Sequence, residues 1–315
     1  MAGRPLIRIL KSQIDILGLG CAAVDEVLYV AAYPPADTKT RVLRREQHCG
    51  GLTATALVAA SRLGAKCAYA GVLGDDAPSR FVLSGLRRAS IDVSGAICRA
   101  GARPVQSVVV VDEKRKTRNI FYDLANVVGA DNQSPSKELI CSAKVLFVDN
   151  FGVKGMIRAV KIARADGIPV VADFESSDAP RFEELLSLVD HLILSQLFAC
   201  KLTSASNPAS AATRLWNRCR SVVIVTCGAN GCFYLDPGAR TPKHVPAFKV
   251  KAQDTTGCGD VFHGAYTATL ARGLELQARI QFASAAAAIK ATRHGGQAGI
   301  PTRTAVEKFL MRHRQ

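Results

Sequence analysis

From Lys144 onward, short apolar runs alternate with longer segments whose apolar positions recur every three or four residues. Val145–Val148, Ile168–Asp173, His191–Leu194 and Val222–Thr226 are nearly continuous in apolar residues, the pattern of strands buried on both faces. Lys154–Ala165, Phe182–Leu188 and Ala209–Cys219 carry helical spacing between them. Such alternation predicts a mainly parallel sheet with helices on both sides, a three-layer α/β/α sandwich.

The first half is more mixed. Ile14–Leu19 and the β-branched run Val24–Val30 read as strands. Leu52–Leu63 reads as a helix of small residues stopped by Gly64, Cys67–Leu73 as a strand, and Ser79–Ala89 as a helix. Val105–Val111 and Asn119–Tyr122 flank a charged tip at 112–118 and predict a hairpin. Gly18–Ala23 has the form Gly-x-Gly-x-x-Ala, but a strand pattern follows it where a dinucleotide fold needs a helix. No linker, repeat or low-complexity tract divides the chain, so residues 1–315 are read as one α/β domain.

Composition narrows the class. Hydrophobic residues make up 48% of the 315, mean hydropathy is +0.12, and no uncharged apolar run approaches the length of a membrane span. Met1–Gln13 lacks the apolar core and cleavage site of a secretory signal. None of the ten cysteines forms a Cys-x-x-Cys pair, which predicts free thiols in a reducing cytoplasm and no zinc site. A net charge of +15 suits an anionic substrate. Aromatics are only 6% and do not interleave with basic runs, which argues against nucleic acid as partner.

The chemistry concentrates in Asp254–Ala265, where two glycines and two hydroxyls precede the carboxylate of Asp260 at the start of a predicted helix. A helix N-terminus offers unpaired N–H groups and partial positive charge, and Gly257 and Gly259 let that backbone approach an anion closely. A carboxylate there suits a base that takes the proton of a hydroxyl attacking a phosphoryl group. Neither a P-loop nor the protein-kinase motifs occur, so phosphoryl transfer rests on this site. Asp25, after the first strand, is placed to bind substrate hydroxyls, and Gly50-Gly51 opens the next helix. Thr226–Cys232 is glycine-rich at the end of a strand, where α/β sheets bind ligands, although a plain hairpin turn has the same composition. The loop 293–301 reads as a helix cap or as a cover beside the anion site.

Asp254–Ala265 resembles the C-terminal signature of the PfkB (ribokinase-like) carbohydrate kinases, Asp-Thr-x-Gly-Ala-Gly-Asp, with Cys258 in place of the usual alanine. Asp25, Gly50-Gly51 and Thr226–Gly231 follow the family's order. The resemblance implies a β lid from about 26–48 and 104–123, Asp260 as catalytic base, and an anion hole from Gly257, Cys258 and Gly259. It implies sugar contacts at Asp25, Gly50, Gly51 and Thr55, the last standing where an asparagine is usual. Nucleotide contacts fall on Thr226, Gly228, Gly231, Thr256, Gly257 and Gly259. ATP and Mg2+ are the implied cofactors, with K+ or a similar ion near Asp254 and Thr256.

Ser195-Gln196-Leu197-Phe198 stands where the family often has Asn-x-x-Glu, so no magnesium ligand is assigned. Lys39, Arg41 and Arg118 are lid cations able to read an anionic substrate group; the remaining lid charges, Lys116 among them, suit solvent. Pro246–Val250, Asp254–Ala265, Thr292–Pro301 and Lys39 look most like the sulfofructose kinases, although Asn150-Phe151 stands where those carry an arginine. The expected activity is ATP-dependent phosphorylation of a primary hydroxyl on a small sugar, with an anionic ketose among the candidates. A nucleoside or neutral-sugar kinase and a non-catalytic binding protein are the alternatives. A homodimer through the lid is the expected assembly.

Overall fold

The computed structural model describes residues 14–115 and 117–313. The segment Met1–Gln13 and Lys116 lie outside the described residues. The chain opens with β1 (Ile14–Leu19), β2 (Ala23–Val30), β3 (Val42–Gly50) and α1 (Leu52–Arg62). Next come β4 (Cys67–Tyr69), β5 (Val72–Leu73), α2 (Ala77–Arg88), β6 (Ile97–Cys98), β7 (Val105–Asp112) and β8 (Thr117–Asp123). The regular alternation follows: α3 (Lys137–Cys141), β9 (Ala143–Val148), α4 (Val153–Ala165), β10 (Val170–Asp173), α5 (Phe182–Leu188) and β11 (His191–Ser195). It continues through α6 (Gln196–Thr203), α7 (Pro208–Leu215), β12 (Val222–Thr226), β13 (Cys232–Leu235) and β14 (Lys243–Val245). Three helices close the chain: α8 (Cys258–Ala271), α9 (Leu276–Ala291) and α10 (Arg303–Arg312).

Eight strands form the main sheet in the order β14-β13-β12-β11-β10-β9-β1-β4, parallel from β12 to β4 and antiparallel at β13 and β14. Alternate residues of each strand enter opposite cores, because successive side chains point to opposite faces. Ile16, Val145, Phe147, Ile193, Val222 and Ile224 pack against Leu57, Tyr266 and Ile280 from α1, α8 and α9. Leu17, Leu146, Val148, Leu192, Leu194 and Val223 pack against Met156, Val160, Leu185 and Ala211 from α4, α5 and α7. The three-layer reading holds. Each fully buried aliphatic side chain contributes roughly 1.5–3 kcal/mol of transfer free energy.

A second sheet, β3-β2-β7-β8, makes the lid; β2 and β7 run parallel and the outer pairs antiparallel. Because Ala23–Val30 is a strand, Gly18–Ala23 does not lead into a dinucleotide-binding helix.

Two local readings are corrected. Cys67–Leu73 is not one strand: Cys67–Tyr69 stays in the main sheet, and Val72–Leu73 leaves it to pair with Ile97–Cys98. Tyr69 turns its hydroxyl back to the Gly20 carbonyl at 2.9 Å, and a Cβ at Gly71 would fall 2.2 Å from that oxygen. The helix expected to reach Cys219 stops at Leu215. Buried Arg220 donates to the carbonyls of Leu215, Val189 and Leu186 at 3.0, 2.8 and 2.7 Å and so caps the end that the helix leaves open.

Candidate active site

The parallel strands β1, β9, β10, β11 and β12 all end on one edge of the sheet, and α8 begins beside it. Gly257 caps α8 with φ +74°, a left-handed conformation that glycine adopts without strain. Asp254 braces the turn before it: one carboxylate oxygen accepts from the Thr256 N–H and the other from the Gly295 N–H, both at 2.8 Å. The Cys258 N–H is turned to the Thr255 carbonyl at 3.2 Å. The N–H groups of Gly257, Gly259 and Asp260 have no backbone acceptor among the described residues. They leave a helix-end donor set for an anion.

Asp260 lies in the first turn of α8, partly open to the cleft. Burial of its carboxyl pushes its pKa well above the usual carboxylate range; Asp173, Glu175 and Asp25 push the same way, and His263 opposes them. Asp173 ends β10, is itself buried and is likewise raised, by burial first and then by Glu175 and Asp149. Three acids therefore crowd Asp260 electrostatically: Asp25 from β2, Asp173 at the end of β10 and Glu175 just past it. Asp149, at the end of β9, had no signal in the sequence beyond following an apolar run. It is fully buried and accepts from the Cys21 N–H at 2.7 Å, the Thr53 hydroxyl at 2.8 Å and the Phe151 N–H at 2.8 Å. Burial pushes its pKa up to about 6 against those three bonds. It ties β9 to the β1–β2 turn and to α1.

Asp25, on β2, accepts from Ser107 Oγ at 2.5 Å, and burial raises its pKa while Ser107 and His48 lower it. Gly50 passes so near that a Cβ would meet the Asp25 carboxylate at 2.2 Å. Gly51 begins α1 at φ +94°, where a Cβ would strike the Ala22 backbone at 2.6 Å. Thr55, one turn on, accepts from Gln297 Nε2 at 3.2 Å, which joins α1 to the loop over the anion hole. Arg118, on β8, is exposed yet near enough to α8 and α9 to lower the pKa values of Cys258 and Lys290. Lys39 is exposed on the β2–β3 connection.

A family model for pfkB family carbohydrate kinases matches residues 19–303. The chain belongs to the pfkB family of carbohydrate kinases. Among curated relatives it is similar to a ribokinase of Staphylococcus aureus (strain COL), 27% identical over 90% of this chain and 95% of that one. It is also similar to fructokinase-1 of Oryza sativa subsp. japonica, 29% identical over 83% and 88%. Among solved structures, a putative ribokinase from Agrobacterium tumefaciens superposes with TM-score 0.89 at 27% identity, covering 96% of this chain and 99% of that one. A putative ribokinase II from E. coli, solved with ATP and Mg2+, shares the fold at TM-score 0.82 and 21% identity, covering 95% and 100%.

At the far end of the parallel run, Thr226 is the last residue of β12 and its hydroxyl donates to the Leu194 carbonyl at 3.3 Å. Residues 227–231 form the turn into β13, closed by the Cys227 N–H on the Gly231 carbonyl at 2.7 Å. Gly228 and Gly231 both have positive φ, and a Cβ at Gly231 would lie 2.0 Å from the Val245 carbonyl. The segment is thus a hairpin turn, the plain reading of its glycines, and it stands at the carboxyl end of β12. Ser195 caps α6, a helix without a sequence forecast, and Phe198 is buried within 6.4 Å of the Phe182 ring. A core phenylalanine therefore stands where the family often has glutamate. Among the described residues no three His, Cys, Asp or Glu side chains form a metal cage.

Lys290, on α9, was also missed. Its ammonium is fully buried, donates to the Asp254 carbonyl at 2.9 Å and lies 3.7 Å from the Asp254 carboxylate. Burial lowers its pKa from the ordinary lysine range, while Asp254 and Cys258 raise it.

Proposed function

We propose that the protein transfers the γ-phosphoryl group of ATP to a primary hydroxyl of a small sugar. The observation that carries this is Asp260 in the first turn of α8, whose leading N–H groups have no backbone acceptor among the described residues, close enough to Asp25 to feel its charge. The sugar lies between Asp25, Gly50-Gly51 and the lid, and ATP lies along the strand ends toward Thr226 and Gly231. Asp260 accepts the hydroxyl proton as the sugar oxygen bonds to the γ-phosphorus and the bond to the β,γ-bridging oxygen breaks, with ADP leaving. The N–H groups of Gly257 and Gly259 hold the developing negative charge. A carboxylate raised toward neutrality is well matched to this exchange.

Magnesium, when bound, neutralises phosphate charge and usually keeps several waters, needing only one or two protein carboxylates. The donor set fits that demand: Glu175, next to Asp173, has no hydrogen bond or ion pair at its carboxylate among the described residues and would hold the ion directly or through water.

An acidic group on the sugar is favoured by Arg118, whose guanidinium is felt at the anion hole. Ribokinase and fructokinase relatives favour a neutral pentose or hexose. Asn150 gives no cationic help, since its side-chain oxygen accepts from the Glu175 N–H at 3.0 Å. Turnover of ATP against ribose, fructose, their monophosphates, sulfosugars and nucleosides tests the reading; hydrolysis without transfer to any of them overturns it.

The lid also suits a second copy of the chain. Leu43 and Phe121 are 56 and 53% exposed on this one small sheet, Phe121 paired with Val108 on the face that holds a hollow of about 510 Å³ lined by Leu28, Val42, Leu43 and Val108 together with Glu26, Arg44 and Arg45. Apolar exposure on that scale marks an interaction surface. A dimeric mass in solution that becomes monomeric in Phe121→Glu supports this dimer; a monomeric wild type contradicts it.

A further inference from the structure

The resemblance implies a monovalent cation at Asp254 and Thr256, and the oxygens there are already spoken for. Both carboxylate oxygens of Asp254 accept backbone N–H groups, from Thr256 and Gly295. Its main-chain carbonyl accepts the Lys290 ammonium at 2.9 Å. In the adjoining loop, the carbonyls of Gln297, Ala298 and Ile300 accept from one guanidinium nitrogen of Arg62 at 2.9, 3.3 and 3.3 Å. The Gly295 carbonyl accepts from the Gly299 N–H, and the Ala291 carbonyl from the Gln253 and Asp254 N–H groups. A bare monovalent ion needs several oxygens at once, and this ring directs most of its own at fixed donors.

We propose that the Lys290 ammonium, with Arg62 on the outer side of the loop, permanently replaces the monovalent cation, so that this enzyme works without K+. Lys290 lies on α9 and reaches Asp254 in the irregular segment that leads into α8, three residues before the Gly257 cap. Its positive charge neutralises Asp254 and holds the 254–257 turn against α9. The loop 293–301 is held on the same residue through the Gly295 N–H. A free ion would do the same work, but only when present in solution. Lys290 is fully buried, as a structural charge must be when it serves as part of the site and not as a solvated surface group.

The inference rests on the kinase reading only for its activity arm, so thermal unfolding is measured alongside turnover. Wild type is exchanged into tetramethylammonium chloride, and KCl is then substituted at constant ionic strength. Turnover and Tm are expected to be unchanged. Lys290→Ala, with Lys290→Met as the variant that keeps the apolar stem, is expected to lose about a hundredfold in turnover in tetramethylammonium, the lower end of what one lost anion-hole donor costs. In Lys290→Ala, K+ is expected to restore most of that loss and to raise Tm, since the vacated space and the freed Asp254 carbonyl then admit the ion. Activation or stabilisation of wild type by K+ overturns the proposal. A Lys290→Ala protein that folds and does not respond to K+ in Tm also overturns it, because Lys290 is then a packing residue alone. If neither variant folds, the wild-type comparison decides. If no sugar is phosphorylated in any salt, the Tm arms still decide it while the kinase reading fails.

Discussion

Asp173 and His263 meet beneath the catalytic helix, with Nδ1 of the buried imidazole 3.3 Å from the Asp173 carboxylate and 2.8 Å from the Gly259 carbonyl. Its Nε2 reaches the Ile193 carbonyl at 3.0 Å, so one side chain links β10, β11 and the first turn of α8. Asp173 is the strongest charged neighbour raising Asp260, and His263 the one opposing it.

The two neighbours should therefore move the pH profile in opposite directions. In Asp173→Asn the carboxyl pair no longer titrates jointly, and the acid limb of kcat/KM should shift to lower pH. In His263→Gln it should shift to higher pH. A profile that moves the same way in both variants, or in neither, contradicts the assignment of that limb to Asp260.

Gly50→Ala tests the sugar side. Its new methyl would stand 2.2 Å from the Asp25 carboxylate, which must then turn away. KM for the sugar should rise by about tenfold to a hundredfold, the usual penalty for an ångström of misplacement, with KM for ATP little changed. Equal losses in both would place Gly50 outside the sugar site.

The sheet's own register made most of this fold legible. Strands buried on both faces announce themselves as continuous apolar runs, and Asp260 and its glycines are adjacent in sequence. What stayed hidden depends on distance. Gln196–Thr203 follows β11 without a gap, so its helix start at Ser195 merges with the strand signal. Asp149 is a single acid after Val148, and only the fold brings Cys21 and Thr53 to it. Lys290, in an alanine-rich helix, reads as a solvated charge until α9 is packed under Asp254. The lid hairpin was visible by pattern, but which of its cations turns inward is a matter of tertiary placement.

Stability should carry the mark of His191. Arg279 donates to the Tyr266 hydroxyl at 3.1 Å, which leaves that hydroxyl to donate to His191 Nδ1 at 2.9 Å, the assignment that best satisfies the network. Burial, helped by Arg279, pushes the imidazole pKa down to about 3. Below its unfolded value of about 6.5 the unfolded chain binds a proton that the folded chain refuses, so this group costs stability from there down to about pH 3. At pH 5 the loss is about 2 kcal/mol relative to pH 7, at 1.36 kcal/mol per unit. Buried carboxyls such as Asp149 work in the opposite sense, so the comparison is with His191→Phe: urea unfolding at both pH values should give wild type the larger loss by that amount. Equal losses contradict a neutral, buried His191.

The central claim is that Asp260 takes the sugar's proton. Once a phosphorylated sugar is in hand, kcat of Asp260→Asn should fall by about 10²- to 10⁴-fold, the range for loss of a general base. Titration calorimetry should find its ATP affinity close to that of wild type. An Asp260→Asn enzyme with wild-type kcat, or one that has lost its ATP affinity together with its activity, contradicts the account.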